Sequence, residues 1–361
     1  MSTFPASPAE KKSITRRSAP DRFQRTRRIV QYLFVALNAW LGLQFFLWVR
    51  YFERGRQGFA VPRPAGAEGW LPIAGLMNFK YFVSTGSVPL IHPAAMFLFM
   101  AFVAISLIVK KSFCSWLCPV GTLSEHLALV GRKIMGRNLR LPRWLDIPLR
   151  GLKYLLLAFF LFLIVSMSAE MLGQFMQTPY GLIADVKMLN FFRHMSAMAL
   201  GVVAALTLLS FVVEHVWCRY LCPYGALMGL VSLLSPLKIR RNQQACIDCG
   251  KCARVCPAQL RVDQLAQVRS VECSACMECV SSCPVEGALQ FSLPQAKDAG
   301  KPLPRYRQAM TPTAFVLLLA ALFFGFVLYA RATNHWQSPV PDSVYQRLIP
   351  NADQAGHPGL E

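Results

Sequence analysis

The sequence predicts a polytopic α-helical membrane protein with about five transmembrane helices and a small cysteine-rich domain inserted before the last of them. Three observations carry that reading. Five apolar stretches are long enough to cross a bilayer core, which takes about 20 helical residues, or about 17 at the short end. In a chain that is 54% hydrophobic, 38 Lys and Arg stand against 18 Asp and Glu. The twelve cysteines fall in four tight groups. At 361 residues the chain has room for two or three domains.

Residues 1–28 hold eight Lys or Arg and two acids among Ser and Pro, and read as a basic tail. The stretches 29–49, 90–109, 154–171 and 195–213 are the expected spans of a membrane domain over residues 29–236. Residues 237–292 carry eight of the cysteines. Residues 293–311, with Pro294, Lys297, Gly300, Pro302 and Pro304, read as a linker. Residues 312–361 hold the fifth span, 314–330, and a short tail. Buried helices of a soluble protein are the alternative, and five long apolar stretches argue against it. A chain both apolar and basic suits membrane loops and anionic headgroups. No nucleic-acid motif accompanies the charge, so nucleic acid is not an expected partner.

The basic residues also orient the spans. Residues 110–152 hold eight Lys or Arg and residues 216–311 hold twelve, whereas 51–89 hold four, and 172–194 and 331–361 hold two each. The positive-inside rule then places the N-terminus and the cysteine-rich domain in the cytoplasm and the C-terminus outside, in the periplasm of a bacterial inner membrane. Every cysteine falls on the expected cytoplasmic side, the compartment that keeps thiols reduced.

Cys246, Cys249, Cys252 and Cys256 form C-x2-C-x2-C-x3-C before Pro257, and Cys273, Cys276, Cys279 and Cys283 repeat it before Pro284. This is the spacing of a two-cluster ferredoxin, in which the fourth cysteine of each run serves the other cluster. One [4Fe–4S] cluster is expected on Cys246, Cys249, Cys252 and Cys283, and the other on Cys273, Cys276, Cys279 and Cys256. Structural zinc and disulfides are the alternatives. Zinc sites separate their cysteine pairs by longer loops, whereas here three cysteines crowd into seven residues, twice.

The remaining four cysteines belong to an internal repeat. Phe113-Cys114-Ser115-Trp116-Leu117-Cys118-Pro119 matches Trp217-Cys218-Arg219-Tyr220-Leu221-Cys222-Pro223 at an offset of 104 residues. Positions i and i+4 share a helix face, so Cys114 can meet Cys118 and Cys218 can meet Cys222. Pro119 and Pro223 interrupt the helix and start a new one. If the two hairpins pack together, the four thiols suit a third iron–sulfur centre, a bound metal or a dithiol. Small apolar packing is the other reading. His92 and His194 sit at comparable outer span ends, as candidates for proton release or haem ligation, or as ordinary interfacial polar groups.

Paired C-x3-C-P motifs at span ends followed by a double ferredoxin motif resemble the membrane-bound ferredoxin-type family typified by NapH, with NosR and the CcoG/RdxA proteins sharing the motifs. In layout the chain is closest to the YccM-type members of that family. The resemblance implies electron transfer between the quinone pool and redox partner proteins such as cytochrome c or ferredoxin-like subunits, and a candidate role as the quinol dehydrogenase component of a respiratory complex. It also implies a small α+β fold for the ferredoxin domain, with quinone bound among the spans. Two rival functions are carried beside it. One is a CcoG-like metal-centre assembly factor that uses the C-x3-C-P thiols. The other is a redox-sensing regulatory membrane protein.

Overall fold

The computed structural model describes residues 22–294 and 309–357. Most of the expected basic tail and linker, residues 1–21 and 295–308, lies outside the described residues. The first helix, α1 (Phe23–Glu53), begins before residue 29, inside the stretch expected to be tail. Its early turns are held by charge. Arg27 is buried, and its guanidinium donates to Glu125 at 2.6 and 3.0 Å and to Glu278 at 2.9 Å. A run of arginines in the sequence could not reveal that one of them has two carboxylates waiting.

After a short helical turn at Ala65–Trp70 come α2 (Pro72–Thr85) and α3 (Pro93–Val109). The first cysteine repeat lies on α4 (Phe113–Trp116) and at the start of α5 (Pro119–Met135). Next are α6 (Arg143–Ser166), α7 (Ala169–Gln177), α8 (Pro179–Leu182), α9 (Ala184–Arg193) and α10 (Ala197–Val212). The second repeat forms a wide π-type turn, Trp217–Leu221, leading into α11 (Pro223–Val231). Proline opens both α5 and α11, where its missing N–H costs nothing.

Among the described residues three helices are long and apolar enough to cross a membrane, namely α1, α6 and α14 (Pro312–Ala332). The expected span at 195–213 is α10, which joins α9 at an 80° bend and makes a fourth span if the pair is taken together. The expected span at 90–109 is the 17-residue α3, at the hub of the bundle, packed against α2, α11 and α14. A helix apolar on every side reads alike whether protein or lipid surrounds it, and here protein does. The long helices, by contrast, turn Leu33, Trp40 and Leu43 of α1, Leu155, Phe159 and Phe162 of α6, and Leu317 and Leu328 of α14 outward. Apolar surface so extensive belongs against lipid.

The cysteine-rich segment lies beyond one end of the bundle. Strand β1 (Lys238–Arg241) pairs antiparallel with β2 (Leu289–Ser292), Ile239 opposite Phe291. Between them lie two one-turn helices, α12 (Lys251–Arg254) and α13 (Glu278–Ser281). Gln24 at the start of α1 donates to the Cys276 carbonyl at 2.8 Å, which ties this segment to the first span. At the opposite end, α15 (Asp342–Leu348) packs Tyr345 against Trp48 of α1.

Helix α5 meets α10 backbone to backbone, because a Cβ on Gly131 would overlap the Phe211 carbonyl. Gly131→Ala is therefore expected to force the two helices apart and destabilise the protein by ~1–3 kcal/mol, as overpacking does. Thermal unfolding of the detergent-solubilised protein measures this, and an unchanged midpoint would show that the helices slide freely.

Candidate functional site

The two ferredoxin-type runs fold as copies of one another. Asp248 and Gly250 in the first and Ala275 and Met277 in the second take positive φ, at equivalent positions 27 residues apart. For Ala and Met this backbone is strained, and such strain gathers at functional sites. Each loop then ends in its one-turn helix. Between the loops lie two small cavities. One is lined by Cys246, Cys249, Cys252 and Cys283, the other by Cys256, Cys273, Cys276 and Cys279. In each, one cysteine comes from the end of the other run.

The donor chemistry fits iron–sulfur clusters. Four thiols face each cavity, and no cysteine forms a disulfide among the described residues. Nor do those residues include three or more His, Cys, Asp or Glu grouped to hold one metal ion. The two sites differ in exposure. Cys256, Cys273 and Cys279 are buried, whereas Cys249 is open to solvent.

The C-x3-C-P repeats grip the second of these sites. Ser115 donates from its hydroxyl to the Ser274 carbonyl at 2.6 Å, and the Trp116 indole donates to the Ala275 carbonyl at 3.0 Å. In the second repeat Arg219 donates to the carbonyl of Pro257, next to Cys256, at 3.0 Å. Arg219 is itself held by Asp146 of α6 through bonds of 2.8 and 2.9 Å. Ser115 and Arg219 occupy equivalent positions in the repeat. Residues between the paired cysteines thus reach the ferredoxin loops in both repeats.

Cys114, Cys118, Cys218 and Cys222 lie near enough for each to feel the charge of others in the group. Burial pushes the Cys114 thiol up to about 12, against the pull of Lys111, and the Cys118 thiol up to about 11. The Cys222 sulfur accepts from the Gly225 amide at 3.2 Å and so caps α11. Lys111 is almost fully buried beside this group.

Cys118 and Cys222 also form part of the floor of a large apolar cavity of about 1160 Å³. It follows α1 from Phe34 to Gln44, a rise of about 15 Å. Walls come from α6, α10 and α14, and Arg63 and Trp70 line it too. Behind Arg63 lies a buried ionic network. Arg63 pairs with Glu68 at 2.8 Å and Asp185 at 2.5 Å, and His92 lies 3.3 Å from Glu68. With its other nitrogen 2.9 Å from the Gly181 carbonyl, His92 is a satisfied interior group and does not line the cavity. His194 is exposed on the surface. The cavity, Arg219 as a clamp and the burial of Lys111 could not be read along the chain, because none of them follows a local spacing.

Comparison with known proteins agrees with this geometry. Residues 91–138 and again 195–242 match a family model described as a 4Fe-4S binding domain, and 238–299 match a 4Fe-4S dicluster domain. The chain is 53% identical to the protein YccM of Escherichia coli (strain K12), over 92% of this chain and 91% of that protein. It is 30% identical to the ferredoxin-type protein NapH of Haemophilus influenzae, over 51% of this chain and 62% of that one. It is 28% identical to the regulatory protein NosR of Pseudomonas aeruginosa, over 51% of this chain and 25% of the relative. No solved structure matches the chain.

Proposed function

Because the chain belongs to the family of membrane-bound ferredoxin-type proteins that includes YccM and NapH, we propose that it passes electrons between quinone in the membrane cavity and a redox partner protein at the ferredoxin end. Two [4Fe–4S] clusters, one on Cys246, Cys249, Cys252 and Cys283 and one on Cys273, Cys276, Cys279 and Cys256, would supply the one-electron carriers. The observation that carries the reading is continuity. The cavity floor is built from Cys118 and Cys222, their motifs grip the loops of the second site, and that site adjoins the first, whose Cys249 meets solvent.

Each part of the chain then has a task. The apolar cavity is large enough for a quinone ring and part of its tail, and drug-sized ligands take ~300–1,000 Å³. A quinol oxidised there loses two electrons and two protons, the electrons to the clusters one at a time and the protons to water. Burial of Cys256, Cys273 and Cys279 keeps water from the second site, and exposure of Cys249 opens the first to a partner. We place the ferredoxin end in the cytoplasm of a bacterial inner membrane and α15 in the periplasm, from the charge of the loops. The proposed domains are a tail, the membrane domain to residue 236, the ferredoxin domain over 237–292, a linker and the last span.

The test is anaerobic mixing of the purified protein with a short-chain quinol while the iron–sulfur absorbance is followed. Leu206→Trp, which fills the cavity from α10, is expected to slow reduction by quinol about tenfold or more, ~1.4 kcal/mol. Reduction by dithionite should be unchanged. Equal quinol rates in the two proteins would remove the cavity from the pathway.

A further inference from the structure

We infer that the Tyr224 hydroxyl is the hydrogen-bonding group that seats a quinone ring at the cysteine end of the membrane cavity, with the tail running away along α1. The inference rests on the quinone reading of the cavity and adds to it the place and orientation of the ring.

The internal repeat breaks at this residue. After C-x3-C-P the first copy continues with Val120 and the second, 104 residues later, with Tyr224. Both line the cavity beside Cys118 and Cys222. Matching positions thus present an aliphatic side chain on one side of the floor and a phenol on the other. Phe99, Phe102 and Phe113 surround the Tyr224 ring, with centroids 6.1, 6.2 and 6.2 Å away. Its hydroxyl lies near enough to Cys114, Cys118 and Cys222 to feel their charge. It makes no hydrogen bond among the described residues. A phenol inside a protein usually finds a partner, because an unmade bond there is costly. The Ser124 hydroxyl lines the same cavity and is likewise buried without a partner.

Polar groups along the walls are engaged instead. Asn38 accepts from the Trp70 indole at 3.0 Å, and Gln44 donates to the Pro62 carbonyl at 2.9 Å. Thr207 and Ser210 bond back to carbonyls of their own helix at 2.8 Å each. Arg63 is taken by Glu68 and Asp185. The rival anchor is the Trp336 indole beyond the end of α14, which lines the cavity and makes no hydrogen bond among the described residues.

Chemistry and position favour Tyr224. A quinone has two carbonyl oxygens that accept and is apolar elsewhere, and a quinol has two hydroxyls that donate. A tyrosine hydroxyl both donates and accepts, so one residue holds either redox state without losing its own proton. Cys118 and Cys222 lie in the two segments that match the 4Fe-4S binding domain, and their motifs bond the second ferredoxin-type run. A ring at this floor lies at the start of the electron path. At the other end it lies about 15 Å farther along α1, and electron transfer slows steeply with distance.

The experiment measures binding of a short-chain ubiquinone and a short-chain menaquinone, each with isotope-labelled carbonyls, to the full-length protein in detergent. Equilibrium dialysis gives the Kd, and infrared difference spectra report the bound carbonyls. Because its hydroxyl has no partner to lose, Tyr224→Phe should fold and load iron as the wild-type protein does. In the wild-type protein a quinone carbonyl band should move to lower frequency on binding. Tyr224→Phe should abolish that shift and weaken binding about fivefold, the size of one net hydrogen bond. Trp336→Phe should bind as the wild-type protein does. An unshifted carbonyl band in the wild-type protein overturns the inference whether or not the variant folds. So does an unchanged Kd in Tyr224→Phe, or a loss confined to Trp336→Phe. If Leu206→Trp weakens binding and Tyr224→Phe does not, the cavity remains the quinone site and only the seat of the ring is refuted. If the wild-type protein binds neither quinone, both readings fall together.

Discussion

Cys256→Ala is expected to empty the second cluster site and leave the first loaded. In sequence Cys256 closes the first run, yet its side chain lines the same cavity as Cys273, Cys276 and Cys279, while Cys283 from the second run lines the other. The loss should therefore cross over between runs. Cys256 is buried, and the alanine that replaces it leaves a cube with three thiolates at a position largely shielded from solvent. The expected result is a loss of about four irons and of one paramagnetic signal, since each cube carries four. The effect on electron flow is larger than the iron count suggests. Because the repeats touch the loops of the second site, its loss isolates the solvent-facing first cluster from the membrane, and quinol-driven reduction of an external acceptor should fall to background. Cys283→Ala should do the opposite, emptying the exposed site while quinol still reduces the buried one. Loss of the first cluster in Cys256→Ala, or retention of both, would show that each run ligates its own cube.

Much of this was legible because cysteine spacing is local. The C-x2-C-x2-C-x3-C runs and the C-x3-C-P repeat can be read along the chain, and each fixes which residues face a site. What joins the sites could not be read. Arg219 looks like one more basic residue near a membrane surface until Asp146, 73 residues away, turns it toward Pro257. Arg27 looks like part of a basic tail until Glu125 and Glu278 meet it. Hydropathy identified α3 as apolar but not its neighbours, because lipid and protein interior favour the same side chains. The cavity is lined from many helices at once, α1, α3, α5, α6, α10, α11 and α14 among them, and no window on the sequence contains it. His92 shows the structure choosing between two readings that the sequence left open. Its place at a span end invited a role in proton release, yet both ring nitrogens are engaged within the interior.

The clamp between α6 and the second repeat gives the other large expected effect. Asp146 is buried, and it accepts from the Arg219 Nε and Nη2 and from the Tyr220 hydroxyl at 2.8 Å, while pairing with Arg150 at 2.5 Å. Asp146→Ala leaves the buried Arg219 without its carboxylate. Breaking a buried pair from one side typically costs ~3–5 kcal/mol, because the stranded charge can neither reach water nor lose its proton. Asp146→Asn keeps an acceptor but loses the charge, so its cost should fall between those of alanine and wild type. Stability is only half of the expectation. Arg219 carries the bond to Pro257, next to Cys256, so a released guanidinium loosens the second cluster site as well. Thermal unfolding followed at two wavelengths, one for the protein and one for the iron–sulfur chromophore, separates the effects. The chromophore of Asp146→Ala should bleach before the helices melt, whereas in the wild-type protein the two transitions should coincide. Coincident transitions in the variant, with a shift worth under about 1 kcal/mol, would mean that Arg219 holds its place without Asp146. Arg219 would then hold Pro257 by itself, beside the bonds of Ser115, Trp116 and Gln24 to the second run.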